Sequence, residues 1–295
     1  MINSQTLSGI ACSIFASVLF GVLYYYFKFI PPMKGEDIYA WRMLSSVPFM
    51  SLMFFLRPIR KGFIEIVKRI RHRPVLLMIP LASSQLLALQ TWLFMWAPVN
   101  GYAMEVSVGY LLLPLTLALA GKLLFREVFG PYKLAAFLIA VTGFLLQIFN
   151  GQPVSWPTLV VCLGYPIYFV LRRLSRTNNL GGLVLDMYLN VPLCTYLVIT
   201  SDTGMELTSL NIVILSGMGL ISAAALLLMM AASQKLNMIL FGLLNYVEPF
   251  LLILVSFLLA QYPSRNEYFG YACIFMSVLV LMAEGIISLK RKQRR

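Results

Sequence analysis

Long apolar segments, separated by short polar connections, run through the whole chain. A bilayer core is about 30 Å thick, so a helix that spans it needs roughly 20 mostly apolar residues. The sequence predicts ten such helices, whose ends are marked by proline and glycine as is typical of helix termini. Their expected ranges are 6–29, 38–56, 75–98, 102–124, 132–149, 156–171, 181–200, 208–233, 237–260 and 267–289.

The composition excludes a water-soluble fold. Of the 295 residues, 60% are hydrophobic and only 12% are charged, whereas soluble domains carry about 45–50% apolar and about 25% charged residues. The excess apolar surface must therefore face lipid. We predict an all-α integral membrane protein with ten transmembrane helices.

The positions of the basic residues predict the orientation of the chain in the membrane. A net charge of +12 would suggest a nucleic-acid partner in a soluble protein, but basic residues also favour cytoplasmic connections. Nineteen of the 23 Lys and Arg residues fall in alternate connections or the C-terminal tail, against Lys28, Lys34 and Arg265 in the opposite ones and Arg42 inside the second span. This distribution predicts both termini in the cytoplasm, an inner (plasma) membrane location and no nucleic-acid partner.

The two halves of the chain show a weak internal similarity. Tyr110 and Pro114 in the fourth span have counterparts in Tyr246 and Pro249 in the ninth. Because five spans is an odd number, two five-span halves must insert in opposite orientations. We therefore predict inverted repeats over residues 1–150 and 151–295, the second ending in the basic tail. Such repeats place a binding site near the midplane, where the halves meet.

Signatures of catalysis and of metal binding are absent from the sequence. The four cysteines lack metal-ligand spacing, and His72 is the only histidine, so neither a metal site nor a Ser-His-Asp site is expected. No phosphate-binding loop of the form GxxxxGK[ST] occurs. These observations predict that the protein is not an enzyme, needs no cofactor, and draws energy from an ion or substrate gradient.

Polar and aromatic side chains in the third span share one helical face. Gln85, Leu89, Trp92 and Trp96 follow one another at spacings of four, three and four residues, which aligns them on one stripe. An amide and two indoles suit stacking against a planar or amphipathic substrate, so Gln85 and Trp92 are predicted to line a cavity. An interfacial tryptophan belt is the alternative, and it explains Trp96 better than Trp92.

The ninth span carries a carboxyl group deep in an apolar segment. Helical spacing puts Asn237, Phe241, Asn245 and Glu248 on one face, with Glu248 about 15 Å from the start of the span. Pro249 removes a backbone N–H and loosens the helix there. Proton coupling, binding of a cationic group and a hydrogen bond to a neighbouring helix are the three roles that this position leaves open.

Other ionisable residues lie nearer to the ends of spans, where they are less costly than at the centre. Arg42 and Glu105 are expected a turn or two below the outer surface, either paired at the outer mouth as gating residues or with Arg42 extended to the headgroups. Asp186 and Glu284 are expected at the membrane interface.

Tyrosines complete the predicted pocket. Short or proline-interrupted spans often line transporter sites, and the short sixth span carries Tyr165, Pro166 and Tyr168. The predicted substrate-binding set is Gln85, Trp92, Tyr110, Tyr168, Asn245 and Tyr246.

The order and spacing of several motifs resemble those of RarD-like permeases, which are EamA-domain members of the drug/metabolite transporter superfamily. Residues 92–97, 100–101 and 105–110 (WLFMWA, NG and EVSVGY) are similar to the signature of that family's third and fourth spans. Supporting matches lie at residues 21–28, 42, 122–127, 168–173 and 242–249. The chain departs from the pattern at Ala260-Gln261, where the family often has Gly-Glu.

The resemblance covers residues 7–289. It implies two inverted EamA repeats around a central cavity and secondary transport, often export of amino acids, metabolites or drugs. We therefore expect a transporter that works by alternating access, with Glu248 coupling protons. A membrane receptor or sensor that binds a small molecule without transport is the alternative. The expected partners are a small-molecule substrate and membrane lipids, and the expected assembly is a monomer or homodimer.

Overall fold

The computed structural model describes residues 4–125, 130–149, 155–201, 208–236, 241, 244–263, 265 and 267–293. Within these ranges the backbone forms helices and their connections, with no β-strand. The α-helices are α1 (Ser4–Tyr25), α2 (Gly35–Leu52), α3 (Arg57–His72), α4 (Met78–Val99), α5 (Ala103–Phe125), α6 (Pro131–Phe149), α7 (Trp156–Leu174), α8 (Leu180–Thr200), α9 (Ser209–Lys235), α10 (Val247–Leu258) and α11 (Tyr268–Gln293). Asn237, and the parts of the quoted motifs at 126–127 and 242–243, lie outside the described residues.

The helices confirm an all-α, multi-pass membrane protein. Each of the ten predicted ranges coincides with one helix, in whole or in part. In the described part of the chain, six helical segments are long and apolar enough to cross a bilayer by themselves. They are Gln5–Phe29, Pro74–Val99, Ala103–Phe125, Trp156–Leu174, Leu180–Thr200 and Ser209–Met229.

The connection expected between the second and third spans is itself a helix, α3. A search for continuous apolar runs misses it because its apolar positions, such as Ile59 and Ile66, are separated by basic residues. Both isoleucines are buried, and Pro58 stands in the first turn, where proline is well tolerated. The second span is therefore followed by an amphipathic helix and not by an irregular loop.

The chain divides into two compact units. The first contains residues 1–21, 101–166 and 228–295, and the second contains residues 22–100 and 167–227. Each unit contains segments from both halves of the sequence. The boundaries of the compact units therefore differ from those of the predicted repeats. The repeat boundary at residue 150 stays a prediction.

The first unit has a continuous apolar core. Leu111 and Leu115 of α5, Ala140 of α6 and Ile274 of α11 belong to it. Helices α6 and α11 approach closely, because a Cβ atom on Gly143 would lie 2.8 Å from the Gly270 carbonyl oxygen. Small residues permit such backbone contact between membrane helices, where close van der Waals packing drives association.

The residues that follow α10 hold the start of α5. The Ala103 N–H donates to the Gln261 side-chain oxygen at 2.7 Å, which satisfies one of the unpaired donors at a helix N-terminus. Ala260 closes the C-terminus of α10, where the N–H groups of Ala260 and Gln261 donate to the carbonyl oxygens of Phe257 and Ser256, each at 3.0 Å. It adopts a φ of 57°, in the left-handed region that favours glycine. The backbone at Ala260 is therefore strained.

Replacing Ala260 with Gly should increase the free energy of unfolding by about 1 kcal/mol, because glycine adopts positive φ without the cost of a Cβ atom. Gly101→Ala is the matched control: Gly101 has a φ of 82° and open space around its Cα, so stability should fall. The midpoint of thermal unfolding in detergent measures both changes. An Ala260→Gly variant that unfolds below wild type would contradict the strain.

Candidate functional site

Helix α4 presents an aromatic and amide face that is partly open. Gln85 is exposed, while Trp92 and Trp96 are half-buried, with ring centroids 5.4 Å apart and planes inclined by 37°. Leu89 lies between them on the same face and is 39% exposed. The four side chains thus form one surface, as their spacing predicts, and their role in substrate binding stays a prediction.

The opposite face of α4 carries buried polar groups that the sequence analysis missed. Ser83, Ser84 and Gln90 are each at most 1% exposed. Gln90 follows Gln85 by five residues, which turns it away from the tryptophans. Gln90 does not lie on the helical face that carries Gln85 and the tryptophans. This offset was the signal in the sequence that could have indicated a second, buried polar face.

Among the described residues of the second unit, the most deeply buried charged side chains form an ion pair at the junction of α7 and α8. Arg172 is 3% exposed and Asp186 is 2% exposed, and Arg172 Nη1 lies 3.0 Å from Asp186 Oδ2. The Tyr168 hydroxyl donates to the same oxygen at 3.1 Å, and the Ser83 hydroxyl donates to Oδ1 at 2.8 Å. Groups from α4, α7 and α8 therefore converge on one carboxylate.

The same arginine organises the turn between α7 and α8. Its Nη2 donates to the carbonyl oxygens of Thr177 at 2.5 Å and Asn179 at 2.7 Å, and its Nη1 donates to the Tyr168 hydroxyl. The Asn179 side chain in turn accepts from the Gly182 N–H at 2.9 Å, which caps the start of α8. The ion pair and the helix cap thus form one connected network.

A second bond ties α8 to α4 beneath this network. The Asn190 amide donates to the carbonyl oxygens of Ser84 and Asp186, each at 2.9 Å. Asn190 is fully buried, so these bonds replace those that it would make to water. The Asn190 amide nitrogen is therefore satisfied by carbonyl groups of α4 and α8, whereas its side-chain oxygen has no hydrogen-bond partner in the described part of the chain.

Three residues from the sequence analysis meet at this cluster. Arg172 was counted among the connections but lies in the last turn of α7, and Asp186 is buried within the second unit. The Tyr168 hydroxyl is hydrogen-bonded to both members of the ion pair, and its role in substrate binding stays a prediction. Helix α7 continues to Leu174, which places Arg172 one turn beyond Tyr168 and inside the helix.

The aromatic candidates on α5 and α7 meet in the first unit. The Tyr110 and Tyr165 hydroxyl oxygens are 2.9 Å apart, and their ring centroids are 5.6 Å apart. Glu105 is half-buried, and its backbone carbonyl accepts from the Thr158 hydroxyl at 2.8 Å. These contacts join the start of α7 to α5, and they bring Tyr110 to a tyrosine that the sequence also singled out.

The region around Glu248 is not the continuous helix that the sequence predicts. Asn245 and Tyr246 form a turn, and α10 begins at Val247. Glu248 therefore lies in the first turn of a helix, buried beside Pro249, and its depth in the membrane stays a prediction. Helix N-termini favour negative charge through the backbone dipoles. Tyr246 is buried in the apolar core of the first unit, and its role in substrate binding stays a prediction.

Arg42 is buried in the second unit. Its Nε donates to the Ser222 hydroxyl at 3.1 Å, and its guanidinium lies 5.1 Å from the centre of the Phe94 ring. Arg42 therefore holds α2 to α9 and to the buried face of α4. Its pairing with Glu105, which belongs to the first unit, stays a prediction.

Replacing Asp186 with Asn should lower the free energy of unfolding by about 3–5 kcal/mol, because it leaves the buried guanidinium of Arg172 without its counter-charge. The matched control removes both charges, as Arg172→Met with Asp186→Leu, and should lose less stability than the single variant. Thermal unfolding in detergent compares the two proteins. A double variant that is less stable than Asp186→Asn would contradict this account.

Comparison with known proteins places the chain among transporters. No protein-family model matches it, so membership of the wider EamA-domain group stays a prediction. One solved crystal structure, whose description gives no function, aligns over 97% of this chain and 99% of its own with a TM-score of 0.54. Its sequence identity is 15%, so this match shows a shared fold alone.

Relatives of known name resemble the chain over nearly its whole length. An uncharacterized transporter of Pasteurella multocida is 37% identical over 290 residues, which are 98% of this chain and all of that protein. An uncharacterized transporter of Haemophilus influenzae is 35% identical over 97% of this chain and 96% of its own. The chloramphenicol-sensitive protein RarD of Pseudomonas aeruginosa is 36% identical over 97% of each chain. At this identity and coverage, the chain belongs to the RarD-like family of membrane transporters.

Proposed function

We propose that the protein is a secondary active transporter that exports a small organic metabolite, amino acid or drug across the inner membrane by alternating access. The named relatives support transport, since they match nearly the full length of the chain. The apolar helices support a protein that crosses the membrane several times.

Ten membrane spans in two inverted five-helix repeats are part of this proposal. Among the described residues, ten α-helices remain when the amphipathic α3 is set aside. In this arrangement residues 1–150 and 151–295 insert in opposite orientations, and the distribution of basic residues puts both termini in the cytoplasm.

The observation that carries the proposed coupling mechanism is the helix interruption before Glu248. A turn at Asn245 and Tyr246 precedes α10, and Glu248 is buried in the first turn of that helix. Interrupted helices in transporters free backbone groups and expose helix ends to bound ions and substrates. We assign Glu248 the role of binding and releasing the coupling proton. Asn245 lies in the turn that precedes this helix.

The aromatic face of α4 is the proposed surface for substrate. Gln85 supplies an amide donor and acceptor, and the Trp92 and Trp96 rings supply flat apolar area. This combination suits a planar or amphipathic organic molecule. Because one relative carries chloramphenicol sensitivity in its name, chloramphenicol is the first compound to try.

An expression screen tests transport itself. Cells with and without the protein are compared for resistance to chloramphenicol and other drugs and for the release of metabolites, each with and without a protonophore. The proposal predicts at least one solute whose cellular level falls with the protein and recovers with the protonophore. An unchanged level of every solute would contradict it, and binding without flux in proteoliposomes would favour a receptor.

Replacing Glu248 with Gln should abolish gradient-driven flux while the protein still inserts into the membrane, because the amide keeps the size of the side chain but cannot carry the coupling proton. Glu65→Gln is the matched control, since Glu65 is exposed on α3 and should leave flux unchanged. The measurement for both variants is the flux, into proteoliposomes under an imposed proton gradient, of a solute that the expression screen identifies. Wild-type flux from Glu248→Gln would remove this residue from the mechanism.

A further inference from the structure

Helix α3 lies across the ends of three apolar helices of the second unit. It is followed directly by the apolar segment that starts at Pro74. Its Arg69 donates to the carbonyl oxygens of Ser175, at 3.1 Å, and Arg176, at 3.4 Å, just beyond the end of α7. Near its middle it packs on Gly181, at the start of α8. Helix ends that meet at one helix mark one face of the membrane.

Close backbone packing fixes which side of α3 faces outward. A Cβ atom on Gly181 would lie 2.1 Å from the Phe63 nitrogen, and one on Gly62 would lie 2.8 Å from the Asn179 side-chain oxygen. Ile59 and Ile66, two turns apart on the same side of α3, are 1% and 3% exposed. The helix therefore cannot rotate without losing these contacts, and its other side faces away from the residues on which it packs.

That outer surface is strongly basic. Between residues 57 and 73, all of which the structure describes, the Lys and Arg side chains are exposed, and Glu65 is the sole acidic residue. Glu65 lies 4.0 Å from Lys61, so one carboxylate stands against seven basic side chains in this segment. The exposed basic residues of the segment are Arg57, Arg60, Lys61, Lys68, Arg69, Arg71 and Arg73.

Apolar side chains stand among these cations and at both ends of the helix. Ile64 is 43% exposed and Val67 is 40% exposed, and helical spacing makes Arg60, Lys68 and Arg71 their neighbours. Exposed apolar residues also flank α3 on either side, at 52, 55 and 56 before it and at 75, 77 and 78 after it. A cleft between α3 and the start of α4 continues this apolar surface, lined in part by Ile70, Leu76 and Ile79.

We propose that the outer surface of α3 binds the headgroups of anionic phospholipids at the membrane face that the charge distribution predicts to be cytoplasmic. Helices with basic and apolar side chains interleaved in this way lie in the interface, with the apolar groups toward the acyl chains. The long Lys and Arg side chains reach the phosphates from there. A soluble acidic partner would not account for apolar residues exposed among the cations and at both ends of the helix.

A lipid titration of the purified full-length protein in detergent tests this surface. The variant Arg60→Gln, Lys68→Gln, Arg71→Gln removes three charges from α3. The control Lys34→Gln, Lys122→Gln, Arg265→Gln removes three exposed charges elsewhere, so both proteins have the same net charge. Native mass spectrometry counts bound phosphatidylglycerol, with phosphatidylcholine as the neutral lipid.

Phosphatidylglycerol affinity should fall by about tenfold or more in the α3 variant, since each cation near an anionic surface contributes to attraction, and should stay within about twofold of wild type in the control. Phosphatidylcholine binding should change in neither. Equal phosphatidylglycerol affinity in the two variants, or equal loss of both lipids in the α3 variant, would overturn the proposal. Flux does not enter this readout, so failure of the transport proposal would leave the result valid.

Discussion

The pairing of Arg172 with Asp186 is the constraint on which the second unit depends. Removing two charges from water costs several kcal/mol per ion unless hydrogen bonds compensate, so the surrounding residues must supply them. Tyr168 and Ser83 do so for the carboxylate, and the carbonyl groups of the α7–α8 turn do so for the guanidinium. One requirement for charge compensation thus sets the end of α7, the start of α8 and their distance to α4.

The consequences extend from this buried pair to the surface of the molecule. The turn that Arg172 holds, residues 175–179, is the support on which α3 rests through Arg69 and Gly62. The basic surface of α3 therefore belongs to a helix that is hydrogen-bonded to and packed on this turn. Helix α7 also carries Tyr165 in the first unit, and the units divide between Pro166 and Ile167. Proline removes a backbone hydrogen bond at this division.

Continuous apolar runs were sufficient to predict the membrane-spanning helices. They did not predict the amphipathic helix α3 or the turn at residues 245–246. Hydrophobicity over about 20 residues identifies a span because the bilayer imposes that length, which is why α4, α5 and α8 agree with their predicted ranges within a few residues. The same criterion overlooks α3, whose apolar positions are periodic and not continuous. It also extends a single helix through residues 245–246, where a turn lies.

The candidate site was predictable where it follows from one helix and not where it depends on several. Helical spacing alone aligns Gln85 with Trp92 and Trp96. The burial of Asp186 depends on an arginine from α7 and a serine from α4, which no spacing within α8 reveals. The ion pair of Asp186 with Arg172 and the hydrogen bond from the Tyr168 hydroxyl therefore had to be read from the structure.

Hydrogen exchange of wild type and Asp186→Asn, compared in the same detergent, tests most directly whether the buried pair supports the second unit and its surface helix. The account predicts faster exchange in α3 and in residues 175–183 of the variant, while α5, α6 and the apolar core of the first unit keep their protection. Unchanged exchange in α3, or an equal loss of protection in both units, would contradict it.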